Sequence, residues 1–239
     1  MSEPMVVLGS HRSPVLAASG LRLSFGLSKA VRGIDVEIER GECVAVMGPS
    51  GSGKSTLLHL LAGVLVPDEG EVRFGDLVVS DLSEADRARL RLREFGFVFQ
   101  FGQLIPELSA LDNVSIPLLL SGMPRRRAMI QARAQLDQLR VADHAHKLPT
   151  ELSGGQAQCV AIARALVTAP TVLFADEPTG ALDSLVAESV METLTDVARV
   201  NRTTLVIITH DARTASYTDR EIFVRNGRVT TVDARRQDR

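Results

Sequence analysis

The 239-residue sequence predicts an α/β fold: a core built on a parallel sheet, an antiparallel β subdomain, and an α-helical subdomain inserted between two halves of the core. Three observations carry this expectation. The apolar run ECVAVMG, residues 42–48, passes through a Gly/Ser-rich turn into TLLHLLAGVL, residues 56–65. That is the pattern of a strand buried on both faces feeding a helix. After residue 153 a helix, the run TVLFAD, a helix over residues 184–200 and the run TTLVIIT follow in turn, as a parallel sheet requires. Between these halves, residues 83–148 are mostly helical in character.

The elements follow in order. Residues 1–14 read as a flexible polar arm and residues 15–239 as one domain. LRLSF and VEIER alternate as half-buried strands do, and GEVRFGDLVVS reads as a strand pair. The helix after the glycine loop closes between Gly63 and Pro67. SEADRARLRLREF is a charged helix opened by a capping box at Ser83 and Asp86. The helical subdomain is expected over roughly residues 100–165. There Pro124 starts a helix that sets Ala132, Leu136 and Leu139 on one stripe. The basic triplet Arg125 to Arg127 reads as a solvated helix start. Asn226-Gly227, between EIFVR and RVTTV, signals a type I′ hairpin, which needs positive φ at both central residues.

Composition bounds the function. Lys plus Arg is 27 against 29 for Asp plus Glu, a net charge of −2, so no nucleic-acid partner relying on a broad basic field is expected. The N-terminus has no signal-peptide pattern, and the apolar run LLHLLAGVLV is too short for a span of about 20 residues. A membrane role is therefore expected to come through a partner. Cys43 and Cys159 have no paired spacing and read as reduced, buried thiols. His144 and His146 read as an exposed loop, and His59 as a packed helix residue.

The chemistry lies in two glycine-rich stretches. GPSGSGKST comprises Gly48, Pro49, Ser50, Gly51, Ser52, Gly53, Lys54, Ser55 and Thr56, and fits the P-loop pattern G-x-x-x-x-G-K-S/T between a strand and a helix. Its backbone N–H groups would cradle phosphate oxygens, Lys54 would reach the β- and γ-phosphates, and Ser55 would ligate Mg²⁺. TVLFADE supplies the companion strand of a P-loop NTPase core: Asp176 to hold Mg²⁺, and Glu177 as the base that polarises water. A hundred residues after the P-loop, Ser153, Gly154 and Gly155 open an apolar helix and form a second anion site. Two cradles for one nucleotide would be redundant, so the second is expected to serve a nucleotide held by another copy.

Here the sequence strongly resembles the ATP-binding subunit of ATP-binding-cassette (ABC) transporters, over nearly the whole chain after the arm. GPSGSGKST matches the Walker A loop, VLFADE the Walker B strand, and LSGGQ, ending at Gln156, the signature. Gln100 matches the Q-loop, Ala181-Leu182-Asp183 the D-loop, His210 the switch histidine, and Phe25 the ring that stacks on adenine. The resemblance implies ATP and Mg²⁺ as cofactors and a head-to-tail, ATP-dependent homodimer, or a heterodimer with a second ATPase. It implies that His210 contacts the γ-phosphate and that Gln100 links Mg²⁺ and the attacking water to the helical subdomain.

GFVFQFGQLIPELSALDNVSIPLLL, HKLPTELSGGQ and ADEPTGALDS resemble the branch serving macrolide export, lipoprotein release and antimicrobial-peptide resistance. That branch implies an integral-membrane permease with a large extracytoplasmic domain, and a peripheral position on the cytoplasmic face of the cell membrane. The alternative is an ATPase of a regulatory mechanotransmission complex that transports nothing. DNA-repair and chromosome-organising relatives need a long insertion between Walker A and signature, for which residues 54–153 leave no room. The signature helix departs from the family at Ala157 and Cys159, which stand where glutamine and arginine are usual. Loss of the guanidinium removes a charge and several donors.

Overall fold

The computed structural model describes residues 14–234; the expected arm, apart from its last residue, lies outside the described residues. Two sheets organise the chain. Strands β1 (Leu16–Phe25), β2 (Ser28–Ile38), β4 (Glu69–Phe74) and the short β5 (Leu77–Val78) form an antiparallel sheet in the order β2-β1-β4-β5. The main sheet joins β3 (Cys43–Met47), β6 (Phe95–Phe99), β7 (Val172–Asp176), β8 (Thr204–Ile208), β9 (Arg220–Arg225) and β10 (Arg228–Ala234) in the order β10-β9-β3-β8-β7-β6. All its neighbours pair parallel except β10, which returns antiparallel to β9 through Asn226-Gly227. Asn226 and Gly227 have φ of 51° and 73°, as the type I′ turn demands.

The central strands have no polar face because both faces are covered. Val44, Val46, Phe174, Val206 and Ile208 point into one core with the antiparallel sheet, while Cys43, Leu173, Ala175, Leu205 and Ile207 point into a second, helical core. This alternation is the period of two of a strand. Helix α1 (Lys54–Leu61) contacts strands of both sheets and buries Leu57, Leu58, Leu60 and Leu61 on its broad apolar face.

On the opposite face α3 (Ala110–Leu120), α4 (Arg125–Gln138) and α5 (Gly154–Leu166) pack together, and α6 (Ser184–Asn201) packs on α5. The stripe Ala132, Leu136 and Leu139 is buried. Asn113, fully buried on α3, clamps the loop ahead of that helix. Its amide donates to the carbonyls of Ile105, Leu108 and Ser109, and its Oδ1 accepts from Ile105 N–H.

Two details differ from the sequence reading. In α2 (Glu84–Glu94) the Ser83 hydroxyl caps Asp86 N–H, but the Asp86 carboxylate accepts from that same hydroxyl at 2.6 Å, so only half of the box forms. The shorter Asp side chain takes the nearer donor. Cys159 is only partly buried, in contrast to Cys43. Burial, with help from Asp219, pushes the Cys43 thiol up to about 12.

Candidate functional site

The chain leaves β3 at Met47, turns through residues 48–53 and enters α1 at Lys54. Glycine is demanded at two points by close backbone neighbours. At Gly48 (φ 145°) a Cβ would stand 2.1 Å from the Val224 carbonyl oxygen, and at Gly53 (φ 103°) 2.5 Å from that of Ala30. Unlike α5 or α6, helix α1 starts without a side-chain cap, leaving first-turn N–H groups free for an anion. Lys54 is largely buried, and its Nζ donates to the Gly48 and Pro49 carbonyls at 2.9 and 3.0 Å, across the loop it serves. The Ser52 hydroxyl inside the loop is buried with no protein partner. A cradle closed to side chains, holding a lysine and an orphaned hydroxyl, fits a polyphosphate.

The loop faces a cleft of about 920 Å³. Its lining brings together Phe25, Pro49, Ser50, Gly51, Gly53, Lys54, Ser55, Thr56, Gln100, Asp176, Glu177 and His210, residues that the sequence pointed to from five separate segments. Phe25, at the end of β1, is 55% exposed and offers its ring at the rim. Gly48 and Ser52 belong to the loop without lining the cleft.

Successive carboxylates at the end of β7 diverge. Burial, foremost, raises the Asp176 carboxyl above its ordinary value, the neighbouring Glu177 charge adds to this, and the Ser55 hydroxyl opposes it. Glu177 takes a left-handed φ of 48° while its N–H donates to the Ile208 carbonyl, which turns its side chain away from Asp176. Glu177 Oε1 lies 2.6 Å from His210 Nδ1; the carboxylate is mostly buried and the imidazole mostly exposed. Ser55 and Asp176 are hard oxygen donors of the kind that hold Mg²⁺ together with phosphate and water. Among the described residues no cluster of three His, Cys, Asp or Glu side chains offers a protein-only metal site.

The signature lies elsewhere. None of Ser153, Gly154, Gly155, Gln156 or Asp183 lines the cleft. Ser153 caps α5 by accepting from Gln156 N–H, and Gln156 Oε1 returns to Ser153 N–H at 3.0 Å, a complete capping box. Both signature glycines lie within α5, so the reason for glycine there is space. A Cβ on Gly155 would stand 2.4 Å from Val186 Cγ1, and one on Gly154 3.2 Å from Leu182 Cδ2. Asp183 caps α6 through Val186 N–H at 3.1 Å.

Two functional side chains escaped the sequence reading. Gln158, 2% exposed, donates to the Phe99 carbonyl at 3.1 Å and the Pro178 carbonyl at 2.6 Å. Arg164 donates to the Gly102 and Gln103 carbonyls, both at 2.8 Å. Together they brace the segment around Gln100 against α5. The available signal was a polar residue in an apolar stripe: Gln158 shares its buried helix face with Ala161, Ile162 and Ala165.

The family model for ABC transporters matches residues 31–180. The chain belongs to the ABC transporter family. ABC relatives cover almost its full length. The lipoprotein-releasing system ATP-binding protein LolD of Xylella fastidiosa is 41% identical over 230 residues, spanning 95% of this chain and 94% of the relative. The protein of the same name from Bordetella pertussis is 47% identical over 196 residues, 82% of this chain and 85% of its own. A bacterial ABC transporter cassette solved as a dimer superposes with a TM-score of 0.86 at 35% identity, over 93% of this chain and all of its own. A post-hydrolysis dimer bound to ADP and phosphate does so with a TM-score of 0.85, again at 35% identity and over the same shares of the two chains. The ABC chain described here is an ATP-binding, ATP-hydrolysing subunit that powers a membrane permease.

Proposed function

We propose that this subunit drives a permease that releases lipoproteins from a membrane, the task named for its relatives. The observation carrying the mechanism is the separation, within one chain, of a phosphate cradle at residues 48–54 from a signature helix start that lines no part of the same cleft. ATP binds in the cleft with adenine on Phe25 and its β- and γ-phosphates at Lys54. Ser55 and Asp176 hold Mg²⁺, which neutralises phosphate charge when bound. Glu177 orients and deprotonates water, His210 contacts the γ-phosphate, and Gln100 reports its state to the helical subdomain.

The signature of a second copy completes the site, so that Ser153, Gly154, Gly155, Gln156 and Asp183 act in trans on the neighbour's nucleotide. A homodimer suffices for this, with two equivalent sites. Hydrolysis opens the pair and moves the permease, whose large extracytoplasmic domain engages the lipoprotein. The subunit takes a peripheral place on the cytoplasmic face, against the permease, and no helix among its described residues is long and apolar enough to cross the membrane. The balanced charge supports a partner other than nucleic acid. The test is co-purification from native membranes followed by reconstitution. A multi-spanning permease should copurify, and ATP should drive release of a lipoprotein from vesicles holding both. Recovery of the ATPase without any membrane protein would refute the proposal.

A further inference from the structure

Two turns carry the reactive side chains of the cleft. Gln100 follows Phe99 in a turn closed by Gly102 N–H donating to the Phe99 carbonyl at 3.0 Å. Glu177 opens a turn closed by Gly180 N–H donating to the Glu177 carbonyl at 3.1 Å. The turns touch: a Cβ on Gly180 would stand 2.8 Å from Gln100 Nε2. One buried amide joins both to the signature helix, because the two N–H bonds of Gln158 end on the Phe99 carbonyl in the first turn and the Pro178 carbonyl in the second. Gly102 rests against the same helix, where a Cβ would be 3.5 Å from Gln158 Oε1.

We infer that Gln158 is a positioning residue that sets Gln100 and Glu177 in register according to the state of the signature on its own helix. Gln158 lies four residues after Gly154, about 6 Å along a rigid helix. A displacement of the helix start by the neighbour's ATP is therefore passed to both turns through one side chain with no slack. The consequence is that each subunit's base is aligned only when its signature engages the opposite nucleotide, which makes hydrolysis at the two sites cooperative. This inference rests on the two-copy sandwich proposed above.

Gln158→Met keeps the volume and removes both donors. It is expected to lower kcat by about 10- to 100-fold, the scale of a reacting group misplaced by about 1 Å. The Hill coefficient for ATP should fall toward one. The Kd of the monomer for ADP should stay within about twofold, because no nucleotide contact is lost. In the Glu177→Gln background it should still dimerise with ATP. A kcat and Hill coefficient like the parent's would overturn the inference, as would losses that merely track a fall in ADP affinity and melting temperature. Should Gln158→Met not fold, Gln158→Asn, too short to reach both carbonyls, is read in the same way. Glu177→Gln alone separates the two ideas. If it stays monomeric with ATP, the sandwich is wrong and the inference falls with it; if it dimerises while Gln158→Met keeps its turnover, only the role of Gln158 is wrong.

Discussion

Replacing Gly155 by alanine tests whether the signature glycine is there for packing within the subunit. The added Cβ would stand 2.4 Å from Val186 Cγ1, where carbon atoms in contact settle at about 3.5–4.0 Å. Val186 packs against the helical core, so α5 and α6 must part by about 1 Å or the valine must leave its place. Overpacking of this kind costs about 1–3 kcal/mol. Alanine recovers up to about 1 kcal/mol of helix propensity, leaving a net loss of about 1–2 kcal/mol. At about 2–4 °C per kcal/mol for a chain of this size, the melting temperature should fall by about 2–8 °C. Val186→Ala removes the obstructing methyl, so the double variant should melt at or above Val186→Ala alone, a coupling of opposite sign to the single loss. Thermal unfolding of the four proteins by circular dichroism reads this directly. A Gly155→Ala protein as stable as the parent, or strictly additive losses in the double variant, would refute the packing argument and leave phosphate approach as the sole reason for the glycine.

Other perturbations read other parts of the site. Glu177→Gln keeps an oxygen acceptor for His210 but loses basicity, so ATP hydrolysis should fall by about 10²- to 10⁴-fold while ATP binding persists. Gel filtration with ATP should then reveal a trapped dimer, and a normal hydrolysis rate would remove Glu177 as the base. The raised pKa of Asp176 means that its contribution to stability is full below the ordinary value of 3.8 and is lost as pH rises through its folded-state value. Asp176→Asn, without nucleotide or Mg²⁺, should therefore be more stable than the parent at pH 7, with the gap closing in acid, yet inactive; a less stable variant at pH 7 would contradict the burial argument. Asn113→Ala strips four hydrogen bonds from the loop after the Q-loop and should cost about 2–3 kcal/mol in urea unfolding. An unchanged urea midpoint would show that the loop holds itself.

The P-loop, the Asp176-Glu177 pair, the Asn226-Gly227 hairpin and the apolar strands were legible in sequence because each is decided within a few residues. A turn needs a given φ, and a strand buried on both faces needs an unbroken apolar run. The meeting of Phe25, Gln100, Asp176 and His210 in one cleft was legible through the family resemblance alone, since no local rule brings distant segments together. Tertiary structure decided the rest. Gly48 and Gly53 are glycines because the carbonyls of Val224 and Ala30 lie where a Cβ would be. Gly155 yields space to Val186, and Asp183 spends its carboxylate on a helix cap. Gln158, one polar residue in an apolar stripe, reads as an anomaly until the Phe99 and Pro178 carbonyls arrive beside it from 59 and 20 residues away. Local sequence sets what a segment is able to be; which atoms face it depends on packing between segments that sequence distance does not encode.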